Sequence, residues 1–284
     1  MARNRSEGWA HAKSSGHINE VDFAEDIRRD RALLHFLEAH KFGSVMGGEP
    51  TVKVDGAKSI ECLLGGSTIS KSDIEVDWGS GRSIGVPVKK SESGQVWLVS
   101  LDRFASALRL LTGDSVPNDV MMGLALFIGG GNLSAFQDDY QRALRADIVR
   151  WPTIAQQESH QNRLVAKSIS TNFSGVWDAT LAYLSEHISL LTELCFARGL
   201  AGDPNDYADY VIYNNAPSGN NVFSTLFLAE ASKAEISRSP ITAGPRNGGS
   251  TISLPTGFLQ MHHPRGENLL QFHHQYAKVS ALRL

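Results

Sequence analysis

Apolar residues recur at helical spacing between residues 21 and 37, which predicts an amphipathic helix with a break near residues 29–31. Gly43 is the first strong signal that ends this pattern. The spacing then changes to short β-type runs separated by Gly, Asp or Ser, and these runs predict a β-meander. They span residues 51–54, 60–64, 74–78, 83–88 and 95–100.

The rest of the chain is helical first and β-type again afterwards. The pattern is helical from about residue 116 to residue 200, and residues 209–213 return to strand character. Two later runs predict a hairpin, residues 258–263 against residues 269–276. We therefore expect an α/β fold with a mixed central β-sheet and flanking helices. It would be a single domain over 1–284, with a core part at 16–112, a helical insertion at 116–200 and C-terminal strands at 205–284 that complete the sheet.

Composition narrows the class of protein without deciding it. The 284 residues are 42% hydrophobic and 20% charged, as in ordinary globular proteins. No run approaches the roughly 18 apolar residues of a membrane span, and the first residues lack the apolar core of a signal peptide, so we expect a cytoplasmic protein without a membrane partner. Cys62 and Cys195 are too few for a disulfide framework. The net charge of -3 removes the simplest argument for a nucleic-acid binder but allows a local basic surface.

The most informative chemistry lies in Ser-Lys-Ser-Asp-Ile-Glu-Val, residues 70–76, and in the run that ends at Lys89. Asp73 is expected at the mouth of one strand and Lys89 on the next strand of a hairpin, so the two side chains can converge at one edge of a sheet. A carboxylate can hold Mg²⁺, which polarises a phosphate and activates water. A nearby ammonium group can orient that water or stabilise developing charge.

This arrangement resembles the motif of the PD-(D/E)XK, restriction-endonuclease-like nucleases, and the resemblance covers about residues 16–105. It implies a Mg²⁺-dependent endodeoxyribonuclease of the type II restriction or phage-defence kind that cleaves double-stranded DNA as a homodimer. In that family a helical acid often completes the metal site, and the helix start at Asn19 and Glu20 looks similar. The resemblance thus implies that Glu20, Asp73 and Lys89 are catalytic, and that Asp73, Glu20 and the Val88 carbonyl bind the metal.

Pro87 departs from the family pattern, because it occupies the position of the second acid two residues before Lys89. Proline offers only its carbonyl oxygen and removes one ladder donor, so the strand is expected to lie at an edge or to be bulged. A shifted register would make Lys90 catalytic instead. Alternatively, the protein has lost activity and only binds nucleic acid. If a second acid comes from elsewhere, the candidates are Glu75, which shares a strand face with Asp73, Glu61 and Glu92.

The C-terminal hairpin suggests two further roles. Gln260 and Gln271 occupy equivalent positions in its near-duplicate strands, and we expect them to contact DNA together with Arg246 and Asn247. Four histidines in the same hairpin raise the alternative of a zinc-stabilised structural protein. Adjacent residues of a strand point to opposite faces, so at most one histidine of each pair is expected on a given face. The pairs are His262 with His263 and His273 with His274.

Overall fold

The computed structural model describes residues 20–45, 48–54, 58–89, 91–130, 136–160, 162–213, 221–263 and 267–284. The chain forms two compact units, each built from two segments. The first unit contains residues up to 91 together with residues 196–226, and the second contains residues 92–195 together with residues 227–284.

Two helices open the described part of the first unit. Helix α1 spans residues 20–29 and helix α2 spans Arg31–Phe42. The predicted break between them is confirmed at Asp30, whose side chain accepts a hydrogen bond from the Leu33 N–H at 2.9 Å and so caps α2. Helix α2 ends at Gly43, where φ is +73°. Helix α2 therefore begins and ends where local signals place it.

The strands of the first unit form a mixed arrangement around one interrupted strand. Strand β4 pairs antiparallel with β1 and β5, and β6 follows β5 directly after Pro87. Strand β6 pairs parallel with β8, which pairs antiparallel with β9, while β2 and β3 form a separate hairpin. The strands are β1 (Thr51–Val54), β2 (Ser59–Glu61), β3 (Ser67–Ile69), β4 (Ile74–Asp77), β5 (Ser83–Val86), β6 (Val88–Lys89), β8 (Tyr210–Tyr213) and β9 (Val222–Ser224).

One face of these strands forms the core of the first unit. Apolar side chains alternate with polar ones along β4 and β5, so Ile74, Val76, Ile84 and Val86 all lie on the same side. Helices α1 and α2 cover that side with their apolar stripes. The opposite face is left to the polar residues that alternate with the core residues. The helical residues in the cluster are Phe23, Ala24, Ile27, Leu34 and Leu37.

The second unit combines helices with a five-stranded antiparallel sheet of order β10-β11-β12-β13-β7. In its core the rings of Trp97, Phe104 and Phe272 pack with centroids 5.3 to 6.1 Å apart. Its strands are β7 (Ser93–Val99), β10 (Thr242–Ala243), β11 (Ile252–Leu254), β12 (Gly257–His262) and β13 (Leu269–Gln275).

The helices of the second unit occupy most of the stretch predicted to be helical. Within the described ranges, no helix has the length and apolar character needed to cross a membrane. The helices are α3 (Leu101–Thr112), α4 (Asn118–Ile128), α5 (Gln137–Ile148), α6 (Ile154–His160), α7 (Ala166–Asn172), α8 (Val176–Glu186), α9 (Ile188–Glu193), α10 (Thr225–Ile236), whose first two residues belong to the first unit, and α11 (Tyr276–Val279). Short turns of other helical types span Leu194–Arg198 at the boundary in sequence, Pro204–Asp206 in the first unit and Arg246–Gly248 in the second.

The predicted α/β class and the hairpin of β12 and β13 are confirmed, but one expectation about the sheet is wrong. The C-terminal strands do not all complete the sheet that contains β4. Only β8 and β9 pair in the first unit, whereas β10 to β13 pair with β7. The reason is the apolar face of β7, where Trp97 and Val99 lie opposite Phe272 and Leu270. Periodicity predicts that a strand forms but not which partner it chooses.

Candidate active site

Asp73 is held at the point where β4 begins. Its backbone N–H donates to the Val86 carbonyl at 3.1 Å, and its Oδ2 atom accepts a hydrogen bond from the Val88 N–H at 2.7 Å. Hydrogen bonds to a carboxylate are stronger than those between neutral groups, so this contact fixes the side chain firmly. The Asp73 carboxylate therefore lies against the residue that directly precedes Lys89.

Asp73 and Lys89 occupy the same face of the sheet. Along β4 the buried Ile74 and Val76 alternate with half-buried Asp73 and Glu75, and along β6 the buried Val88 precedes the half-buried Lys89. Successive side chains of a strand point to opposite sides. Asp73, Glu75 and Lys89 thus share the face opposite the apolar core. The structure brings together the strands that carry them, and their catalytic roles stay predictions.

Glu20 is the first described residue of α1 and is half-buried. It lies four residues before Ala24 and seven before Ile27, both of which are 1% exposed in the core of the first unit. Residues at these spacings share one helix face, so Glu20 extends the core-facing stripe towards the N-terminal end of the helix. The preceding Asn19, which with Glu20 forms the predicted helix start, lies outside the described residues. A metal-binding role for Glu20 stays a prediction.

Pro87 interrupts the strand as predicted, but it does not lie at a sheet edge. Strand β4 pairs on one side of the interrupted strand and β8 on the other. Pro87 is buried, and its carbonyl oxygen accepts a hydrogen bond from the Ile212 N–H at 3.1 Å. An interior position is tolerated because the Asp73 carboxylate restores a contact at Val88 immediately after the proline. Of the two expectations, an edge strand or a bulge, the edge strand was therefore wrong.

The Asp73 carboxylate and the Val88 carbonyl oxygen fit a cation whose other ligands are water and the phosphate of a substrate. Within the residues that the structure describes, no group of three or more His, Cys, Asp or Glu side chains could hold a metal ion. Mg²⁺ is usually held by one or two carboxylates, with waters and substrate phosphates as its other ligands. Asp73 and the Val88 carbonyl oxygen would supply hard oxygen donors of this kind. Pro87 adds no side-chain donor, so the protein alone offers an incomplete set.

A small polar cleft on the same sheet face contains Glu75, the candidate second acid. Its floor is Gly85, which pairs with Glu75, and a methyl group on Gly85 would lie 2.1 Å from the Ser72 Oγ. The space at this position, rather than the backbone conformation, therefore favours glycine. The cleft is lined by Lys58, Ser70, Ser72, Glu75, Ser83, Gly85, Asn205, Asp206, Tyr207 and Asp209.

Asp209 is a residue whose importance the sequence reasoning missed. Its Oδ2 atom accepts a hydrogen bond from the Gly85 N–H at 3.1 Å, and its Oδ1 atom pairs with the Lys41 Nζ at 2.5 Å. Its backbone N–H also donates to the Gly85 carbonyl at 2.8 Å. One signal was available, because Asp209, like Asp73, immediately precedes a buried β-type run. Both aspartates tie neighbouring strands together through side-chain contacts to backbone N–H groups.

Three further residues were candidates for the active centre: Glu61 and Glu92 as the second acid, and Lys90 as the catalytic lysine. Glu61 lies exposed on β2, in the separate hairpin with β3. Glu92 is exposed and belongs to the second unit. Lys90, which a shifted register would make catalytic, lies outside the described residues. Of the three glutamates, Glu75 is the one that lies on the same strand face as Asp73.

The predicted DNA-contacting glutamines form a ladder across the sheet of the second unit. Gln260 and Gln271 are direct partners, and the Gln260 Nε2 donates to the Gln271 Oε1 at 2.8 Å. The Gln271 Nε2 in turn donates to the Gln95 Oε1 at 2.7 Å. Gln271 is only 7% exposed, so Gln260 and Gln95 present the ladder at the surface. Arg246 and Asn247 lie in a separate exposed turn.

The hairpin histidines lie on different faces and have different surroundings. His273 stacks on Phe258 with ring centroids 4.6 Å apart, and its Nε2 lies 3.1 Å from the Gln260 Nε2. His274 is 2% exposed on the core side, whereas His262 is exposed and His263 contacts Asn268. This alternation matches the expectation that adjacent histidines diverge. Nothing in this arrangement favours the zinc alternative.

No protein-family model matches the chain, and no curated protein matches it. Among solved structures, the chain is similar to restriction endonuclease MspI, crystallised in complex with its cognate DNA. The two sequences are 9% identical, the TM-score is 0.44, and the match covers 88% of this chain and 83% of that chain.

Proposed function

We propose that this protein is a metal-dependent endonuclease that hydrolyses phosphodiester bonds of double-stranded DNA, of the restriction or phage-defence kind. The observation that carries the proposal is the hydrogen bond from the Val88 N–H to the Asp73 Oδ2 at 2.7 Å. It fixes the carboxylate against Val88, the residue that directly precedes Lys89, and the side chains of Asp73 and Lys89 both lie on the polar face of the sheet. A carboxylate can hold a metal ion that activates water, and a nearby ammonium group can stabilise the charge that develops on the phosphate.

Each residue has a distinct role in this proposal. Bound Mg²⁺ would supply the Lewis acidity that polarises the phosphate and lowers the pKa of water. Asp73 and the Val88 carbonyl would hold the cation. Glu20, at the N-terminal end of a helix that packs on the opposite face of the sheet, would have to reach the cation around the sheet edge. Lys89 would orient the attacking water and stabilise the negative charge that develops on the phosphate. Glu75 is the side chain we assign to the position left open by Pro87.

Substrate binding is assigned to the second unit. Gln260 and Gln95, at the two ends of the glutamine ladder, would contact base edges, because amide side chains pair well with adenine in the major groove. Arg246 and Asn247 would contact the DNA from their exposed turn. We further propose a cytoplasmic homodimer, since a two-fold protein suits a palindromic site.

Cleavage of plasmid DNA tests the proposed function directly. The purified chain is incubated with supercoiled plasmid and Mg²⁺, with and without EDTA, beside the variants Asp73→Ala and Lys89→Ala. We expect nicked and linear DNA only with Mg²⁺ and the unmodified chain, and a loss of at least about 100-fold in each variant. Lys233→Ala, which removes an exposed lysine from α10, is the control and keeps activity. Cleavage that survives both substitutions would reject this active site.

A non-catalytic nucleic-acid-binding protein on the same scaffold is the second candidate. Pro87 favours it, because the position of the second acid lacks a carboxylate. In that case duplex DNA binds, no cleavage occurs with Mg²⁺ or Mn²⁺, and Asp73→Ala leaves binding unchanged.

A further inference from the structure

A rigid basic platform lies on the second unit and has no part in the active centre described above. The turn Arg246–Gly248 and the two residues after it are fastened to the chain around α7. The Ala166 N–H donates to the Gly249 carbonyl at 3.0 Å, and the Arg163 guanidinium donates to the Ser250 carbonyl at 2.9 Å. These two hydrogen bonds anchor the two residues that directly follow the turn.

Arg150 packs directly against this turn. Gly248 has φ of +71°, and a methyl group there would lie 2.8 Å from the Arg150 Nη1 and 3.8 Å from the Lys167 Cβ. The absence of a side chain at Gly248 thus allows the arginine to lie against the backbone of the turn. The Arg150 Nε lies 3.4 Å from the Oδ1 of Asp147, which is 1% exposed. Arg150, Lys167 and Arg246 consequently form one surface, which we name the basic cluster.

Positive charge in the basic cluster is only weakly compensated. Arg150, Lys167 and Arg246 are all exposed, and among the described residues Lys167 and Arg246 form no ion pair. The nearby anion is Asp147, which also faces the buried Arg163. Burial lowers the pKa of Arg163 to about 10, partly offset by Asp147, so this guanidinium is still charged at neutral pH. The whole chain has a net charge of -3, but this part of its surface carries several cations beside one buried carboxylate.

We propose that the basic cluster binds the phosphate backbone of duplex DNA. The choice of DNA as the polyanion rests on the proposed function. Exposed Arg and Lys side chains neutralise phosphates and release condensed counterions, which gives affinity without reading the sequence. The anchored turn fixes the backbone that carries Arg246, and Arg150 packs against Gly248, so less freedom is lost on binding. The cluster adds Arg150 and Lys167 to the predicted contacts and gives Arg246 a positioning role rather than base recognition.

The test is fluorescence anisotropy with a labelled 20-base-pair duplex at several NaCl concentrations, with EDTA in place of Mg²⁺. The variant is Lys167→Gln with Arg246→Gln, which leaves the Arg150–Asp147 pair intact. We expect its Kd to rise about 10-fold or more at 100 mM NaCl, and the slope of log K against log salt to fall by about 2. The control, Arg109→Gln with Lys233→Gln, removes two exposed cations from α3 and α10 and behaves as the unmodified chain.

Circular dichroism melts accompany each protein, and a Lys167→Arg and Arg246→Lys variant that keeps the charges retains the affinity and the slope. Equal affinity and slope in the charge-removing variant and its control would overturn the proposal. The outcome is separable from the nuclease proposal. DNA cleavage that depends on Asp73 but not on the basic cluster rejects the cluster alone. Cluster-dependent binding without cleavage rejects the nuclease alone, and absence of any duplex binding rejects both.

Discussion

The Oδ2 atom of Asp73 accepts a hydrogen bond from the Val88 N–H at 2.7 Å, immediately after Pro87 has interrupted the strand. A side chain therefore continues the contact between two strands beyond the last residue pair of β4 and β5, Ile74 with Val86. The same carboxylate is assigned to the metal. Asp73 thus has a structural role, the hydrogen bond from the Val88 N–H, and a proposed chemical role, metal binding, and substitutions can separate the two.

Asp73→Asn and Asp73→Ala should differ in stability and agree in activity. The amide oxygen of Asn can still accept the Val88 N–H, whereas Ala leaves that donor without its partner. We expect the free energy of unfolding to fall by about 1–3 kcal/mol in Asp73→Ala and by less in Asp73→Asn. Both variants should lose DNA cleavage, because neither carries a carboxylate. Urea unfolding followed by circular dichroism measures the free energy of unfolding. An equal decrease in that free energy in the two variants would contradict the prediction.

Pro87→Glu should strengthen metal binding by placing a carboxylate where the proposed site lacks one. Alternation along the strand puts residue 87 on the face of Lys89 and Asp73. We expect Mg²⁺ affinity to increase about 10-fold by isothermal titration calorimetry, as a second carboxylate joins the site. Pro87→Gln, which has similar size without the charge, is the control and should bind as the unmodified chain. Equal affinities in Pro87→Glu and Pro87→Gln would exclude residue 87 from the metal site.

Glu75 and Asp77 offer a matched pair of acids on one strand face. Glu75→Gln should reduce cleavage by about 10-fold or more, because it removes the carboxylate assigned as the second acid. Asp77→Asn changes the charge equally at a position next to Lys53, 3.9 Å away, and should leave cleavage within about twofold. Initial rates of plasmid nicking measure both. A reversed order of effects would remove Glu75 from the site.

Gly85→Ala should destabilise the first unit through one contact. The new methyl group would meet the Ser72 Oγ at 2.1 Å, the Ser72 Cβ at 3.2 Å and the Ala208 Cα at 3.4 Å. We expect a loss of about 1–3 kcal/mol in the free energy of unfolding. Ser72→Ala removes the closest atom, so the double variant should recover part of that loss. A double-mutant cycle by urea unfolding measures the recovery, and strict additivity would show that the clash is relieved elsewhere.

His273 should make the stability of the protein depend on pH. Burial, assisted by nearby His262, lowers the pKa of His273 below its ordinary value of 6.5. The unfolded chain therefore takes up the proton first, and stability is lost as the pH falls below about 6.5. We expect Tm to decrease between pH 7.5 and pH 5.5, and to decrease less in His273→Gln. An identical pH dependence in both proteins would assign the effect to other groups.

Local features of the fold could be predicted from the sequence. The break at Asp30 and the hairpin of β12 and β13 follow from capping residues and from two apolar runs separated by a turn. The position of Asp73 at the start of a strand and the interruption at Pro87 follow from the residue types alone. Each of these depends on residues close together in sequence.

Long-range pairing was not accessible in the same way. Strand β7 was expected to join the meander before it, yet it pairs with β13. The role of Asp209 was not predicted, because its partners, Lys41 and Gly85, are more than a hundred residues away in the chain. Hydrophobic periodicity records which face of a strand is buried, and many partners can satisfy that requirement equally.

The parallel pairing of Val88 and Lys89 with Ile212 and Tyr213 has a consequence for biosynthesis. A ribosome makes the segment with Asp73 and Lys89 well before it makes the strand that supports Lys89 from the other side. At about 5–20 residues per second, the intervening stretch delays that partner by several seconds or more. The proposed DNA-cutting centre would therefore assemble late in translation, and the nascent chain would be harmless to the genome of its cell for most of its synthesis.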